Sequence, residues 1–205
     1  MQNSLLVLSG PSGSGKSTLC KFLLEKIPEI YFSISTTTRD PREGEKDTEH
    51  YYFVSKEEFL RDIQENKFLE WAEVHGNYYG TSISPIKSAL ESGRLVIFDV
   101  DVQGHRGIKK YYGDLVRSIF VTTKNKQTLK QRLQKRGTDS EETIKLRLMH
   151  AYSEMKYMNE FDYLIINDDI ERSKEAILSI AKSLPYISNP KDSEDLCLQW
   201  MENLS

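Results

Sequence analysis

The stretch Ser4-Leu5-Leu6-Val7-Leu8-Ser9-Gly10-Pro11-Ser12-Gly13-Ser14-Gly15-Lys16-Ser17-Thr18 decides the fold. It opens on a run of aliphatic residues, as a buried strand requires, and passes into a glycine-rich turn. Beyond the turn, Leu19, Phe22, Leu23 and Ile27 fall on one face of a helix predicted over Ser17–Ile27 and ended by Pro28. Gly10, Gly15, Lys16 and Ser17 match the GxxxxGK[ST] pattern, in the strand-to-helix context that the pattern needs. Glycines let backbone N–H groups turn inward around a phosphate, and the helix N-terminus adds a positive field. Lys16 is placed to reach the β- and γ-phosphates, and the Ser17 hydroxyl is offered to Mg²⁺. Gly10, Pro11, Ser12, Gly13, Ser14, Gly15, Lys16, Ser17 and Thr18 therefore form the expected triphosphate site. An ordinary Gly/Ser turn is the competing reading, and the two correct flanks argue against it. A GTPase would also need a guanine-reading NKxD motif, and the one nearby string, Asn167-Asp168-Asp169, lacks the lysine.

Outward from this loop, strands and helices alternate. Strands are expected at Tyr31–Ser35, Leu95–Val100, 116–121 and Tyr163–Asn167, and helices at 103–112, 125–135, from Thr138 to about Asn159, and at Glu171–Ser183. Thr138 with Glu141 reads as a capping box for the long helix, and Ser55 with Glu58 as another. Ser84 and Pro85 read as the start of a helix that ends near Gly93. Such alternation predicts a parallel sheet covered on both faces. Residues 33–82 break it: Thr36–His50 is a polar loop, Tyr51–Val54 is extended, Phe68–Val74 is a strand and Asn77–Gly80 a turn. That segment reads as an insertion carrying a separate site.

Composition narrows the class. With 205 residues the chain is one domain, or one core with an insertion. The net charge is -3, and the segment after Pro185 carries an excess of acidic residues: Asp192, Glu194, Asp195 and Glu202 against Lys191. The balance elsewhere does not suit a general nucleic-acid binder. Basic residues nevertheless crowd 39–46 and 124–147, where local clusters can bind phosphates. Cys20 and Cys197 form no disulfide framework and no zinc pair, which predicts reduced thiols in a cytoplasmic protein. No apolar run is long enough for a membrane span, and the N-terminus reads as a first strand rather than a signal peptide. The tail after Pro185 is expected to be a loop followed by a docking helix with Leu196, Leu198, Trp200 and Met201.

The insertion carries Ser33-Ile-Ser35-Thr-Thr-Thr-Arg39-Asp-Pro-Arg42-Glu-Gly-Glu45, with two arginines three apart. Guanidinium forks bind phosphate bidentately. Tyr51, Glu70-Trp71 and Gly76-Asn-Tyr-Tyr79-Gly80-Thr81 follow. Paired arginines, tyrosine hydroxyls and a lone carboxylate suit a nucleoside monophosphate, phosphate at one end and base at the other. By themselves, Arg39 and Arg42 would read as a solvated loop; with the phosphate loop they read as a second site.

In order along the chain, the phosphate loop, the Ser33–Glu45 run, Phe68-Leu-Glu-Trp-Ala72, Gly76-Asn-Tyr-Tyr-Gly80, Asp99-Val-Asp101-Val-Gln-Gly104 and Arg136-Gly-Thr138 resemble the motifs of the guanylate kinase family, over essentially Ser4 to Ser183. The resemblance implies an α/β fold: a P-loop NTPase core with a parallel sheet flanked by helices, a GMP-binding insertion and a helical lid. The core would be 1–32, 83–124 and 151–184, the insertion 33–82, the lid 125–150 and the tail 185–205. It implies transfer of the γ-phosphoryl group of MgATP to GMP and dGMP, with a place in purine nucleotide metabolism, no nucleic-acid partner and no membrane. Monomer and dimer both stay open. Ser35, Glu70, Thr81 and Asp101 would face the guanine, while Arg39, Arg42, Tyr51 and Tyr79 would hold the GMP phosphate. Asp99 would sit near Mg²⁺ and its waters, Asn167 near the adenine, and Arg132, Arg136 and Arg147 would close over the transferring group. Lys16, Arg39, Arg132, Arg136 and Arg147 are the residues expected to carry transfer. Two other readings compete: a non-catalytic peptide-binding scaffold module, which should have lost phosphate-loop residues, and a kinase for another phosphorylated acceptor such as a ribose bisphosphate, which should lack the full guanine set.

Overall fold

The computed structural model describes residues 4–74, 76–135, 140–187 and 190–202. In chain order the elements are β1 (Leu5–Ser9), α1 (Lys16–Lys26), β2 (Ile30–Phe32), β3 (Thr36–Thr37), β4 (Tyr52–Phe53), α2 (Lys56–Gln64), β5 (Phe68–Val74), β6 (Asn77–Ser82), α3 (Ile83–Glu91), β7 (Leu95–Asp99), α4 (Val102–Tyr112), β8 (Val116–Thr122), α5 (Lys126–Lys135), α6 (Glu141–Met155), β9 (Tyr163–Ile166), α7 (Ile170–Ser183) and α8 (Pro190–Glu202). Short 3₁₀ turns follow α4, α6 and α7.

Every strand pair of the main sheet is parallel, in the order β2-β7-β1-β8-β9. β1 lies at its centre and is buried on both faces, which is why it reads as an unbroken apolar run. Its alternating side chains feed two cores. Leu6 and Leu8 pack with Leu19, Leu23 and Ile177 under α1 and α7, while Leu5 and Val7 pack with Ile86, Leu90, Phe98 and Ile108 under α3 and α4. Each of these four β1 side chains is fully buried, worth about 2 kcal/mol apiece as an upper estimate.

A second sheet, in the order β4-β3-β6-β5, is built from residues between 36 and 82. Here β6 runs antiparallel to both β3 and β5. The expected turn at Asn77–Gly80 is therefore a strand: the reversal is made at Gly76, whose φ is +79°. Gly80 has a packing role. A Cβ there would stand 2.9 Å from the Phe68 ring and 3.0 Å from Phe59, two rings that stack at 4.3 Å.

Three helix boundaries also differ from expectation. The N-cap of α3 is Ser82 rather than Ser84, since β6 runs directly into the helix. The N-cap of α6 is Ser140, whose hydroxyl accepts from Thr143 N–H, in place of the expected Thr138, which lies outside the described residues. The same helix ends at Met155, where a turn and the Met158–Glu160 3₁₀ segment replace the expected continuation to Asn159. Ser55 caps α2 as read, accepting from Glu58 N–H. The tail forms α8, but Leu196, Leu198, Trp200 and Met201 on it are exposed, so the expected docking is not made. No described helix is long and apolar enough to cross a membrane.

Candidate functional site

In an open parallel sheet, ligands bind where the carboxyl ends of the strands meet the following loops. Four such ends converge here: β1 leads into the phosphate loop, β7 ends at Asp99, β8 leads to α5 and β9 delivers Asn167. A cleft of about 330 Å³ opens between the phosphate loop and the end of β7, lined by Gly10, Ser12, Gly13, Gly15, Lys16, Ser17, Thr18, Asp99, Asp101 and Glu154.

The loop itself is tightly drawn. Lys16 Nζ donates to Gly10 O at 2.6 Å and stands 3.9 Å from an Asp99 carboxylate oxygen. The Ser17 hydroxyl donates to the other Asp99 oxygen at 3.4 Å. Burial raises the Asp99 carboxyl above its ordinary range, against the pull of Lys16 and Ser17. Gly15, at φ +103°, passes so close to Asn167 that a Cβ would lie 2.2 Å from its side-chain nitrogen.

Two arginines, one on α5 and one on α6, hydrogen-bond to this loop. Arg132 of α5 donates to Ser14 O at 3.1 Å and to Asn167 O at 2.6 Å. Arg147 of α6 donates to the Ser12 hydroxyl at 2.8 Å. Asn167 is 2% exposed and donates to Ser14 O at 2.8 Å, so it braces the loop. Arg136, expected beside Arg132, lies outside the described residues. Leu129 and Leu133 pack with Ile144 and Ala151, which joins α5 to α6.

The insertion supplies a second cluster. Glu70 of β5 accepts from the Thr81 hydroxyl of β6 at 3.2 Å. Burial, and then the Asp101 charge, push the Glu70 carboxyl up. Asp101 caps α4 by accepting from Gly104 N–H at 2.8 Å, and it also borders the phosphate-loop cleft. It thus links the two clusters. The Arg39 guanidinium stands 5.4 Å from the Tyr51 ring, and the Tyr51 and Tyr79 rings are 6.2 Å apart. Arg42 is exposed on the same loop, and Ser35 is half-buried, its carbonyl accepting from Tyr52 N–H at 2.9 Å.

Two residues were not singled out from the sequence. Glu154 sits seven residues after Arg147, which places both on one stripe of α6. Its side chain enters the phosphate-loop cleft, and one carboxylate oxygen is buried with no hydrogen-bond partner. Glu45 closes the Arg39 loop; its carboxylate accepts from Arg39 Nη2 at 3.0 and 2.8 Å. The helical spacing from Arg147 was the available signal for the first, and position at the end of the arginine run for the second.

Among the described residues, no three His, Cys, Asp or Glu side chains converge as a ligand set. A hydroxyl and one carboxylate beside a phosphate loop suit Mg²⁺, which keeps several waters and is held largely by phosphates. A larger cleft of about 740 Å³ lies between α5 and α6. It is mostly apolar, and Pro11 alone among the expected site residues borders it, so size does not mark the reacting centre.

Comparison with known proteins identifies the family. The family model described as Guanylate kinase matches residues 2–184. A guanylate kinase of Helicobacter hepaticus is 60% identical over 185 residues, covering 90% of this chain and 92% of its own. One from Wolinella succinogenes is 57% identical over 199 residues, covering 97% and 93%. The crystal structure of guanylate kinase from Anaplasma phagocytophilum superposes with a TM-score of 0.67 at 33% identity, over 89% of this chain and 86% of that one. An intact phosphate loop and a second cluster of arginine, tyrosine and carboxylate, on a chain matched almost end to end, place the protein in the guanylate kinase family.

Proposed function

We propose that this chain transfers the γ-phosphoryl group of MgATP to the phosphate of GMP, and also of dGMP, giving ADP and the nucleoside diphosphate. The observation that carries this reading is the pairing of two clusters through one short segment. Asp99 and Asp101, two residues apart, border the phosphate-loop cleft, and the charge of Asp101 reaches Glu70 in the insertion.

The donor occupies the loop from Gly10 to Thr18, its phosphates cradled by backbone N–H groups and by Lys16, with Asn167 near the adenine. Ser17 and, through water, Asp99 would hold Mg²⁺, which when bound neutralises charge on the phosphate oxygens. The acceptor phosphate is held by Arg39, Arg42, Tyr51 and Tyr79. Its base faces Glu70, Thr81, Ser35 and Asp101. Guanine presents N1–H and an exocyclic amine side by side, and a carboxylate accepts from both.

No side chain need act as general base, because the acceptor phosphate is already ionised. Catalysis is alignment and neutralisation of spreading charge. Lys16, Arg132, Arg136 and Arg147 supply that charge, while the insertion (33–82) and the lid (125–150) close over the pair and exclude water as competing acceptor. We read the setting as cytoplasmic, a reading that nucleotide substrates and two free cysteines favour. The test is a coupled ADP-release assay with MgATP and a panel of monophosphates. Turnover with GMP and dGMP far above AMP, CMP and UMP is expected; equal turnover across the panel would refute the assignment.

A further inference from the structure

Glu45 places a negative charge inside a site read as built for a phosphate. Both its oxygens accept from Arg39 Nη2, at 3.0 and 2.8 Å, and Oε2 also accepts the backbone N–H of Arg42 at 2.8 Å. Its own N–H donates to Arg42 O at 3.0 Å, closing the turn between the two arginines. Arg39 is anchored again where Nη1 donates to Asp40 O at 2.6 Å, and its guanidinium stands over the Tyr51 and Phe53 rings at 5.4 and 5.9 Å. The pair is well enclosed, with side chains 14% and 19% exposed.

A carboxylate that neutralises a phosphate-binding arginine weakens the attraction for an anion unless it supplies something the arginine lacks. What a long arginine lacks is a fixed orientation. Bidentate recognition needs the planar fork in one pose, and ordering a rotamer-rich side chain at the moment of binding subtracts from affinity. Glu45 fixes that pose in the free protein, while leaving the remaining guanidinium N–H groups for a ligand.

We infer that Glu45 is a positioning residue for the acceptor phosphate, holding the Arg39 fork and the Arg42 turn in binding geometry before the monophosphate arrives. The inference rests on the reading that Arg39 binds that phosphate. The opposite role, a carboxylate that stands in for phosphate and must be displaced, predicts the opposite sign: removing its charge would tighten GMP binding.

The experiment is a double-mutant cycle on the full chain with Glu45→Gln, Arg39→Ala and the double variant. The readouts are KM for GMP, KM for ATP, kcat, and GMP affinity by calorimetry without ATP. Glu45→Gln keeps the volume and an acceptor for Arg42 N–H; Glu45→Asp is carried alongside as the charge-conserving variant. We expect Glu45→Gln to raise the KM for GMP about tenfold, the order lost when a charged hydrogen-bond partner is removed, with KM for ATP unchanged. Glu45→Asp should recover part of the loss. The double variant should match Arg39→Ala, because Glu45 acts through Arg39. An unchanged or lowered KM for GMP in Glu45→Gln, or single effects that multiply in the double variant, would overturn the proposal. If Arg39→Ala itself leaves GMP binding intact, the underlying reading of Arg39 fails as well, and the two failures are told apart.

Discussion

Glu70→Gln is the substitution that bears most directly on base selection. Glu70 lies on β5 with its carboxylate accepting from Thr81 at 3.2 Å, in a setting buried enough to raise its pKa. One hydrogen bond to Thr81 leaves acceptor capacity on the carboxylate for two further donors, which guanine presents together. Glutamine keeps the shape but replaces one acceptor oxygen with a donor, so a charge-assisted bond is lost and an N–H meets an N–H. Losing a hydrogen bond to a charged group costs about 1.5–3 kcal/mol, or about ten- to hundredfold in KM for GMP. AMP gains, because its unprotonated N1 can accept from the new amide, so the GMP:AMP ratio of kcat/KM narrows from both sides. Steady-state kinetics with each acceptor, at saturating MgATP, measures this, and KM for ATP should hold. A second signature is pH. GMP binding needs the ionised carboxylate, and burial raises the pKa above the ordinary value of 4.5. The KM for GMP should therefore climb as pH falls through that raised pKa in the wild type, and stay flat over the same range in the variant. Wild-type GMP kinetics and wild-type rejection of AMP in Glu70→Gln would refute the reasoning.

Lys16→Ala should lower transfer at least about a hundredfold with the fold intact, checked by turnover beside circular dichroism; near-normal turnover in a folded variant sinks the role given to Lys16. Gly15→Ala forces a side chain onto φ +103° and against Asn167, so it should cost about 1–2 kcal/mol in urea denaturation and weaken ADP binding measured by calorimetry. His105 is 1% exposed, with both ring nitrogens lacking a hydrogen-bond partner, and burial holds its pKa below 6.5. The unfolded chain therefore takes up the proton first, and stability falls as pH drops from about 6.5 towards the lower folded value. His105→Phe, which can keep the stack on Phe161, should flatten that slope in melting temperature against pH; an unchanged slope contradicts it.

What was legible in the sequence tracks how local its cause is. The β1–loop–α1 unit could be read because a pattern of six bonded choices (apolar strand, glycines, lysine, hydroxyl, amphipathic helix, closing proline) sits within one short stretch, each with its own physical reason. β7 was readable because a strand buried on both faces is nearly continuously apolar, and β8 because Ile119, Phe120 and Val121 form an apolar run after Arg117 and Ser118. β4 falls within the segment Tyr51–Val54 read as extended, but β3, only two residues long, lay hidden at the start of the expected polar loop Thr36–His50. β6 was misread as a turn because Tyr78, Tyr79 and Gly80 look like loop chemistry until Phe59 and Phe68 are packed over Gly80. The arginines, Glu70 and the aspartates came through motif resemblance. Glu45, though it ends the arginine run, was given no role, and Glu154 stood in no motif, since a carboxylate acquires its role from what stands opposite: Arg39 across a loop in one case, the phosphate-loop cleft beneath α6 in the other. α8 was expected to dock, yet its Leu196, Leu198, Trp200 and Met201 are exposed, because a helical pattern cannot say whether such a face finds a partner.

The most direct test of the account is to follow the γ-phosphoryl group itself. With ATP labelled at the γ-phosphorus, GMP and Mg²⁺, the label should appear in the β-phosphate of GDP in step with ADP formation, with little inorganic phosphate released. Label recovered chiefly as inorganic phosphate, or ADP formation that proceeds equally without GMP, would contradict transfer to the bound nucleotide.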